Sequence, residues 1–121
     1  NHSLNALAFV VYLSSVGEKG LRETANICIQ RARYLSEKIN SLNSFKLRFN
    51  SRFFNEFVVQ TDMDTEKLQN ILYDSKILGG ILLEEYFPEL RGCILMTVTE
   101  MNSVKDINRY FNILNTISDG D

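Results

Sequence analysis

The sequence has few of the residues on which most catalytic and metal chemistry depends. Its 121 residues include one histidine, His2, two cysteines, Cys28 and Cys93, one proline and no tryptophan. A metal site needs several His, Cys or carboxylate ligands that converge, and two cysteines are too few for a disulfide scaffold. A serine or cysteine nucleophile would have no histidine base beside it. We therefore expect no metal site and no catalytic residue in this chain.

A strong excess of charge and a long hydrophobic run are also missing. Thirteen Lys and Arg against 15 Asp and Glu give a net charge of −2, whereas nucleic-acid binders usually present a basic face. The apolar run at 6–13 is shorter than the about 20 residues of a membrane span, and it lacks the basic start of a signal peptide. With 45% hydrophobic and 23% charged residues, we expect one globular, cytoplasmic domain without nucleic-acid or membrane partners.

The beginning of the sequence is unusually apolar, because chain termini are normally polar and frayed. Leu4 to Val16 predicts a helix that is apolar on most of its surface and ends at Gly17. We interpret 1–17 as a helix that continues from a missing large domain and 18–121 as a small domain. The first helix has too much apolar circumference for one partner surface, so we expect an isolated chain to self-associate.

Hydrophobic spacing predicts the remaining elements. Seven apolar residues from Leu21 to Leu42, at intervals of three and four, indicate a long helix across a sheet rather than a coiled coil. Alternation predicts a strand at 45–49 that forms a hairpin with a second strand at 53–61. The remaining expected elements are a helix over 64–76, a short strand beside Gly79 and Gly80, a strand over 93–99 and a last helix capped by Ser103 and Asp106. This order is typical of an α+β two-layer sandwich, with helices on one face of a mainly antiparallel sheet.

Polar residues in apolar surroundings are the candidate site residues. Asn55 and Glu56 lie inside the second predicted strand, where a carboxylate is costly unless it is paired. Thr99 and Glu100 end a strand just before a helix, which is a common place for site residues. The structural alternatives are that Glu56 pairs with a cation or a backbone amide, and that Glu100 accepts from the amides of the last helix.

Two further features are interpreted as structural. Gly79-Gly80 is more typical of a tight backbone turn than of a phosphate site, and neither G-x-x-x-x-G-K-[ST] nor G-x-G-x-x-G occurs. Cys28 lies on the apolar helix stripe and Cys93 opens a strand, so both are expected to be inert core thiols.

Four segments, taken together in their order and spacing, resemble a known family. They are FFNEFVV at 53–59, GG at 79–80, YFPEL at 86–90 and VTEM at 98–101. The opening NHSLNALA also looks like that family's N-Q-A-L-x-A-L-A. The sequence resembles the C-terminal part of glycine dehydrogenase (decarboxylating) subunit 1, one half of the split P-protein of the glycine cleavage system. Arg91-Gly92-Cys93 departs from the family pattern, so no carboxylate-binding role is assigned to Arg91.

The resemblance implies a small C-terminal domain of a fold-type-I enzyme that depends on pyridoxal phosphate. The family decarboxylates glycine and passes the aminomethyl group to the lipoyl arm of the H-protein, and subunit 2 carries the cofactor lysine. The chain is then expected to bind no cofactor, to be inactive alone and to help form the cleft at the interface with subunit 2. The expected cleft-side or orienting positions are Asn55, Glu56, Gly79, Gly80, Thr99 and Glu100.

Two other interpretations stay open on the sequence. The chain could be a free-standing α+β binding or regulatory module, which a reading frame starting near Asn1 would favour. It could also be the small domain of another fold-type-I enzyme, such as an aminotransferase or cysteine desulfurase relative. In that case an arginine such as Arg91 would bind a substrate carboxylate.

Overall fold

Three α-helices and a four-stranded antiparallel sheet make up residues 1–119, which are the residues that the computed structural model describes. The last two residues of the predicted 18–121 domain lie outside this part of the chain. In chain order the elements are α1 (His2–Asn40), β1 (Phe45–Leu47), β2 (Glu56–Thr61), α2 (Thr65–Asp74), β3 (Ile81–Leu82), β4 (Cys93–Thr97) and α3 (Val104–Ser118), with 3₁₀ turns at Leu83–Glu85 and Pro88–Leu90 between β3 and β4. The predicted α+β class is confirmed.

The sheet has the order β1-β2-β4-β3, and every neighbouring pair in it is antiparallel. The hairpin predicted from alternation is present, with Phe45 opposite Thr61. Alternate residues of β2 and β4, such as Phe57 and Met96, are buried in the same cluster as the apolar faces of the helices. The intervening residues lie outside that cluster, and all of them except the buried Cys93 are exposed or half-buried.

The first helix is interrupted at Gly17 as predicted, and it differs from its prediction in where the buried stripe begins. Gly17 has φ +67° and ψ 179°, so it is a kink between two helical segments, and the helix resumes directly after it. The buried stripe begins at Cys28, because Leu21 is 42% exposed and lies on a part of α1 without a packing partner among residues 1–119. From Cys28 to Ile39 the stripe is buried as predicted.

The predicted helix caps of the other two helices are confirmed. The Asp64 side chain accepts from the Lys67 N–H and begins α2. Ser103 and Asp106 form a reciprocal capping box at the start of α3. These caps satisfy backbone amides that have no partner within the helix.

All three long predicted strands are shorter in the structure, and each loses residues at an end that carries polar side chains. In particular, β4 ends at Thr97, and the chain then forms a turn at 99–102. The shortening leaves Asn55, Thr99 and Glu100 just outside the regular sheet, whereas Glu56 begins β2.

Candidate functional site

The predicted site residues lie at one end of the sheet. Glu56 begins β2 and is opposite Thr97, the last residue of β4. Gly80 precedes β3, whose first residue Ile81 is opposite Leu95 of β4. Because the strands are antiparallel, β2 and β3 begin at the end of the sheet at which β4 finishes. The candidate pairs Asn55-Glu56, Gly79-Gly80 and Thr99-Glu100 are therefore brought to the same end of the sheet.

Glu56 lies in an inner strand as predicted, but it is the first residue of β2 and its side chain is exposed rather than enclosed by apolar residues. Its register places it on the sheet face that points away from the helices, where its charge stays hydrated. The hydroxyl of Thr97 donates to Glu56 Oε1 at 3.3 Å. The carbonyl of the neighbouring Asn55 accepts from the Val98 N–H at 2.9 Å. Glu56 thus pairs with a cross-strand hydroxyl rather than with a cation or a backbone amide.

Residues 99–102 form a turn that is closed by its own hydrogen bonds. The Thr99 N–H donates to Asn102 Oδ1 at 2.8 Å, and the Asn102 N–H donates to the Thr99 carbonyl at 3.1 Å. The Met101 N–H donates to Thr99 Oγ1 at 3.2 Å. Thr99 is therefore an organiser of this turn, and its hydroxyl is already engaged within it.

The structural alternative for Glu100 is also wrong. Its carboxylate does not cap α3, because Ser103 and Asp106 satisfy those amides. The thiol of Cys28 on α1 instead donates to Glu100 Oε2 at 3.2 Å. Burial, together with the hydrogen bond to Glu100, raises the pKa of the Cys28 thiol. A raised pKa keeps sulfur in the unreactive thiol form, which agrees with the expected inert core thiol.

Gly79 and Gly80 lie in the irregular segment between α2 and β3, where Gly80 approaches β4 closely, and the predicted tight turn is not present there. The Tyr110 hydroxyl donates to the Gly79 carbonyl at 2.9 Å. Gly80 has φ +119°, and a Cβ there would lie 2.5 Å from the Leu95 carbonyl oxygen. A groove of about 350 Å³ lies beside Gly79 and Gly80, and its lining includes Thr97 and Tyr110. Thr97 thus links this groove to Glu56.

Arg31 on α1 is a residue of this region that sequence reasoning missed. Its guanidinium donates to the backbone carbonyls of Glu100 and Asn102. The sequence pattern showed only that Arg31 lies off the apolar stripe of α1, which is typical of a solvated side chain. The spacing of Arg31 from Cys28 was no signal by itself, because only the structure shows that Cys28 contacts Glu100.

Arg91 lies at the opposite end of the sheet from Glu56. The carbonyl of the adjacent Gly92 accepts from the N–H of Thr61, the last residue of β2. A groove of about 680 Å³ at that end is lined by Arg91 and by acidic residues that include Asp62 and Glu84. The structure therefore does not bring Arg91 to the candidate site.

The described residues offer few groups that could hold a metal or a cofactor. Residues 1–119 contain no cluster of three or more His, Cys, Asp or Glu side chains suited to a metal ion. No helix in the same range combines the length and apolarity needed to cross a membrane. Five of the six lysines are exposed, and the ammonium of Lys38 lies over the rings of Tyr34 and Phe111. No lysine lines the groove beside Gly79, so that groove does not offer a Schiff-base lysine.

Comparison with solved structures defines the class of fold. The chain superposes on a glycine decarboxylase (P-protein) of the glycine cleavage system in inhibitor-bound form, with a TM-score of 0.76 and 23% identity, over 88% of this chain and 24% of that chain. It also superposes on a phosphoserine aminotransferase from Cytophaga hutchinsonii, with a TM-score of 0.65 and 16% identity, over 86% of this chain and 28% of that chain. The fold is thus the α+β domain found in these two enzymes. No family model matches the chain.

Comparison with curated proteins identifies the relatives. The chain is 40% identical over 109 residues to a probable glycine dehydrogenase (decarboxylating) subunit 1 from Desulfitobacterium hafniense, covering 90% of this chain and 24% of that protein. It is 44% identical over 113 residues to the protein of the same name from Endomicrobium trichonymphae, covering 93% of this chain and 26% of that protein. The predicted resemblance to glycine dehydrogenase (decarboxylating) subunit 1 is confirmed, and the chain spans about a quarter of the length of these relatives.

Proposed function

We propose that this chain is the small C-terminal domain of subunit 1 of a split, cytoplasmic glycine cleavage P-protein. In the assembled enzyme it takes part in glycine decarboxylation with transfer of the aminomethyl group to the lipoyl H-protein, and it helps form the cleft at the interface with subunit 2. The observation that carries this proposal is the 44% identity over 93% of the chain to a probable glycine dehydrogenase subunit 1.

The first 17 residues are assigned to a helix that continues from the large domain. No Lys, Arg, Asp or Glu occurs before Glu18. Phe9 is 59% exposed, and Leu7 and Val11 are exposed to a similar extent. A free surface helix normally carries charges on its outer face, so this composition supports burial against another part of the enzyme.

Two observations support Gly17 as the boundary of that helix. The hydroxyls of Ser14 and Ser15 donate to backbone carbonyls four residues earlier, so the segment before Gly17 presents these polar groups already satisfied. Directly after Gly17, Glu18 and Arg22 form an exposed ion pair with an N–O distance of 3.0 Å. The helix thus changes at the kink from a type suited to burial to a type suited to solvent.

The cofactor is assigned to subunit 2 rather than to this chain, and the positions of the six lysines support that division. Pyridoxal phosphate, when bound, supplies an electron sink for the decarboxylation. The residues of this chain do other work at the rim of the cleft. Glu56 and Glu100 are exposed there. The absence of a side chain at Gly80 lets the backbone approach β4 closely.

The experiment is to assay the natural full-length polypeptide with subunit 2, the H-protein and glycine. Glu100→Ala is expected to lower glycine decarboxylation by about tenfold or more, because small misplacements of orienting groups are costly. Glu37→Ala, a change at an exposed glutamate of α1, is the matched control and should leave the rate unchanged.

The outcomes separate the site from the function. An assembled wild-type enzyme without glycine decarboxylation contradicts the proposed function. An active wild type in which Glu100→Ala changes neither the rate nor the thermal stability removes Glu100 from the site.

A further inference from the structure

We propose that Arg31 is a positioning residue, which holds the turn at 99–102, and with it Glu100, against α1. This inference rests on the proposed function, because Glu100 is a cleft-side group only if that function holds. Arg31 itself lies outside the four motif segments. The turn connects β4 to α3, so its position relative to α1 decides where the Glu100 carboxylate lies.

Both hydrogen bonds of Arg31 go to the backbone of the turn. Its Nη1 donates to the Glu100 carbonyl and, at 2.8 Å, to the Asn102 carbonyl. A guanidinium is permanently charged and planar, so one side chain can hold two carbonyls in a fixed relation. Because the acceptors are main-chain atoms, Arg31 fixes the path of the chain and leaves the Glu100 carboxylate for other partners.

Neighbouring residues of α1 strengthen this attachment. Cys28, one turn earlier, donates from its thiol to Glu100 Oε2 at 3.2 Å. Tyr34, one turn later, donates from its hydroxyl to Asn108 Oδ1 of α3 at 2.7 Å. Residues spaced by three lie on one side of a helix. Three side chains on one side of α1 thus hold residues 99–102 and the first part of α3.

The turn has its own internal hydrogen bonds, so the role inferred for Arg31 is to position the turn rather than to form it. Hydrogen bonds between Thr99 and Asn102 close the turn without help from α1. Its tip, Met101, is 81% exposed and is not held by packing. Removing Arg31 should therefore release the turn from α1, and the hydrogen bonds that protect its amides should then open more often.

The test compares Arg31→Met, Arg31→Lys and the control Arg33→Met in the natural full-length polypeptide. Arg33 lies two residues further along α1 and is exposed. The first measurement is hydrogen exchange of the segment containing 99–102. Loss of hydrogen bonds from a charged donor should speed exchange there by about tenfold or more in Arg31→Met, with Arg33→Met like the wild type. Arg31→Lys, which keeps the charge, should recover part of the protection.

The second measurement is glycine decarboxylation with subunit 2 and the H-protein. A positioning role predicts that Arg31→Met lowers kcat by about tenfold with a smaller change in KM, and that Arg31→Lys recovers part of the loss. A purely structural role would lower the thermal stability and leave kcat unchanged in the folded enzyme.

Failure of this inference is distinguishable from failure of the proposed function. Unchanged exchange at 99–102 in Arg31→Met overturns the inference. An unchanged kcat in Arg31→Met, in an enzyme that Glu100→Ala impairs, overturns it as well and leaves the site intact. An inactive wild-type assembly contradicts the proposed function, while the exchange measurement still reports on the hold of Arg31.

Discussion

Gly80 is the residue whose backbone most constrains the site end of the sheet. Its φ of +119° is a conformation that side-chain-bearing residues rarely adopt, and the Leu95 carbonyl stands where a Cβ would lie. The neighbouring Gly79 is constrained differently. A Cβ at Gly79 would approach Leu72 Cδ1 at 2.4 Å, which is the far end of a flexible side chain. The two adjacent glycines are therefore unequal in what they require.

We predict that Gly80→Ala destabilises the protein by about 2 kcal/mol or more, because backbone strain and a contact with a carbonyl act together. Gly79→Ala is the matched comparison and should cost less, since Leu72 can rotate. Chemical denaturation of both variants measures the free energies of unfolding. An equal or smaller cost at Gly80 would contradict this account of Gly80.

Tyr110 connects two elements of the fold, because this residue of α3 bonds to Gly79 in the segment before β3. Its buried hydroxyl donates to the Gly79 carbonyl, and burial raises the pKa of Tyr110 far above the ordinary value of about 10. The native state therefore holds the phenolic proton at a pH at which the unfolded state releases it. The stability linked to Tyr110 is fully present below about pH 10 and is lost as the pH rises above it.

We expect the free energy of unfolding to fall with rising pH above about pH 10, and Tyr110→Phe to remove part of that slope. At neutral pH the same variant should cost about 1 kcal/mol, for the hydrogen bond to Gly79. Tyr73→Phe, at an exposed tyrosine of α2, is the control and should retain the slope. Denaturation curves between pH 7 and about pH 11 provide the measurement. A Tyr110→Phe protein with the wild-type pH dependence would show that Tyr110 is not the responsible group.

At the scale of the whole molecule, the segment of α1 before Gly17 stands apart from the core. The buried cluster takes its α1 residues from Ala32 onward, whereas Leu7, Phe9 and Val11 are exposed. Uncharged apolar surface of this kind is normally covered by another part of a protein. The segment of α1 after Gly17 therefore contributes to the core of this domain, whereas the segment before Gly17 does not.

The 121-residue chain on its own is predicted to self-associate through this segment. Leu7→Glu combined with Val11→Glu places two charges on one side of the helix and should shift the chain toward monomer. Leu78→Glu, at an exposed apolar residue outside the segment, is the matched control and should leave the association unchanged. Sedimentation velocity and binding of an apolar dye are the measurements. A strictly monomeric wild-type chain that binds no dye would contradict the prediction.

Local chemistry explains which parts of the fold were predictable. The capping box of Ser103 and Asp106 and the cap at Asp64 depend on residues three apart, so sequence alone revealed them. The strand of alternating residues at Phe45 and the hairpin that it forms were visible for the same reason. Strand ends were less predictable, because apolar residues such as Phe49, Phe54 and Val98 lie beyond the strand ends of the structure.

The site was predictable only in part. The pairs at Glu56, Gly80 and Glu100 were visible as polar or glycine positions in apolar surroundings, but their partners were not. Thr97 contacts Glu56 because two strands pair in a particular register. Arg31 contacts the turn across 69 residues of sequence. Such partners depend on how elements pack, which periodicity in one element does not contain.

Four properties follow from the amino-acid sequence without the structure: the class of fold, the helix caps, the apolar character of the first helix and the resemblance to glycine dehydrogenase subunit 1. Each of these depends on short-range spacing or on motifs that can be compared directly. The tertiary structure alone decided that Glu56 faces solvent, that Cys28 and Arg31 hold Glu100, and that Arg91 lies at the far end of the sheet. These depend on strand register and helix packing, because a side chain's neighbours are set by which faces meet when the chain folds.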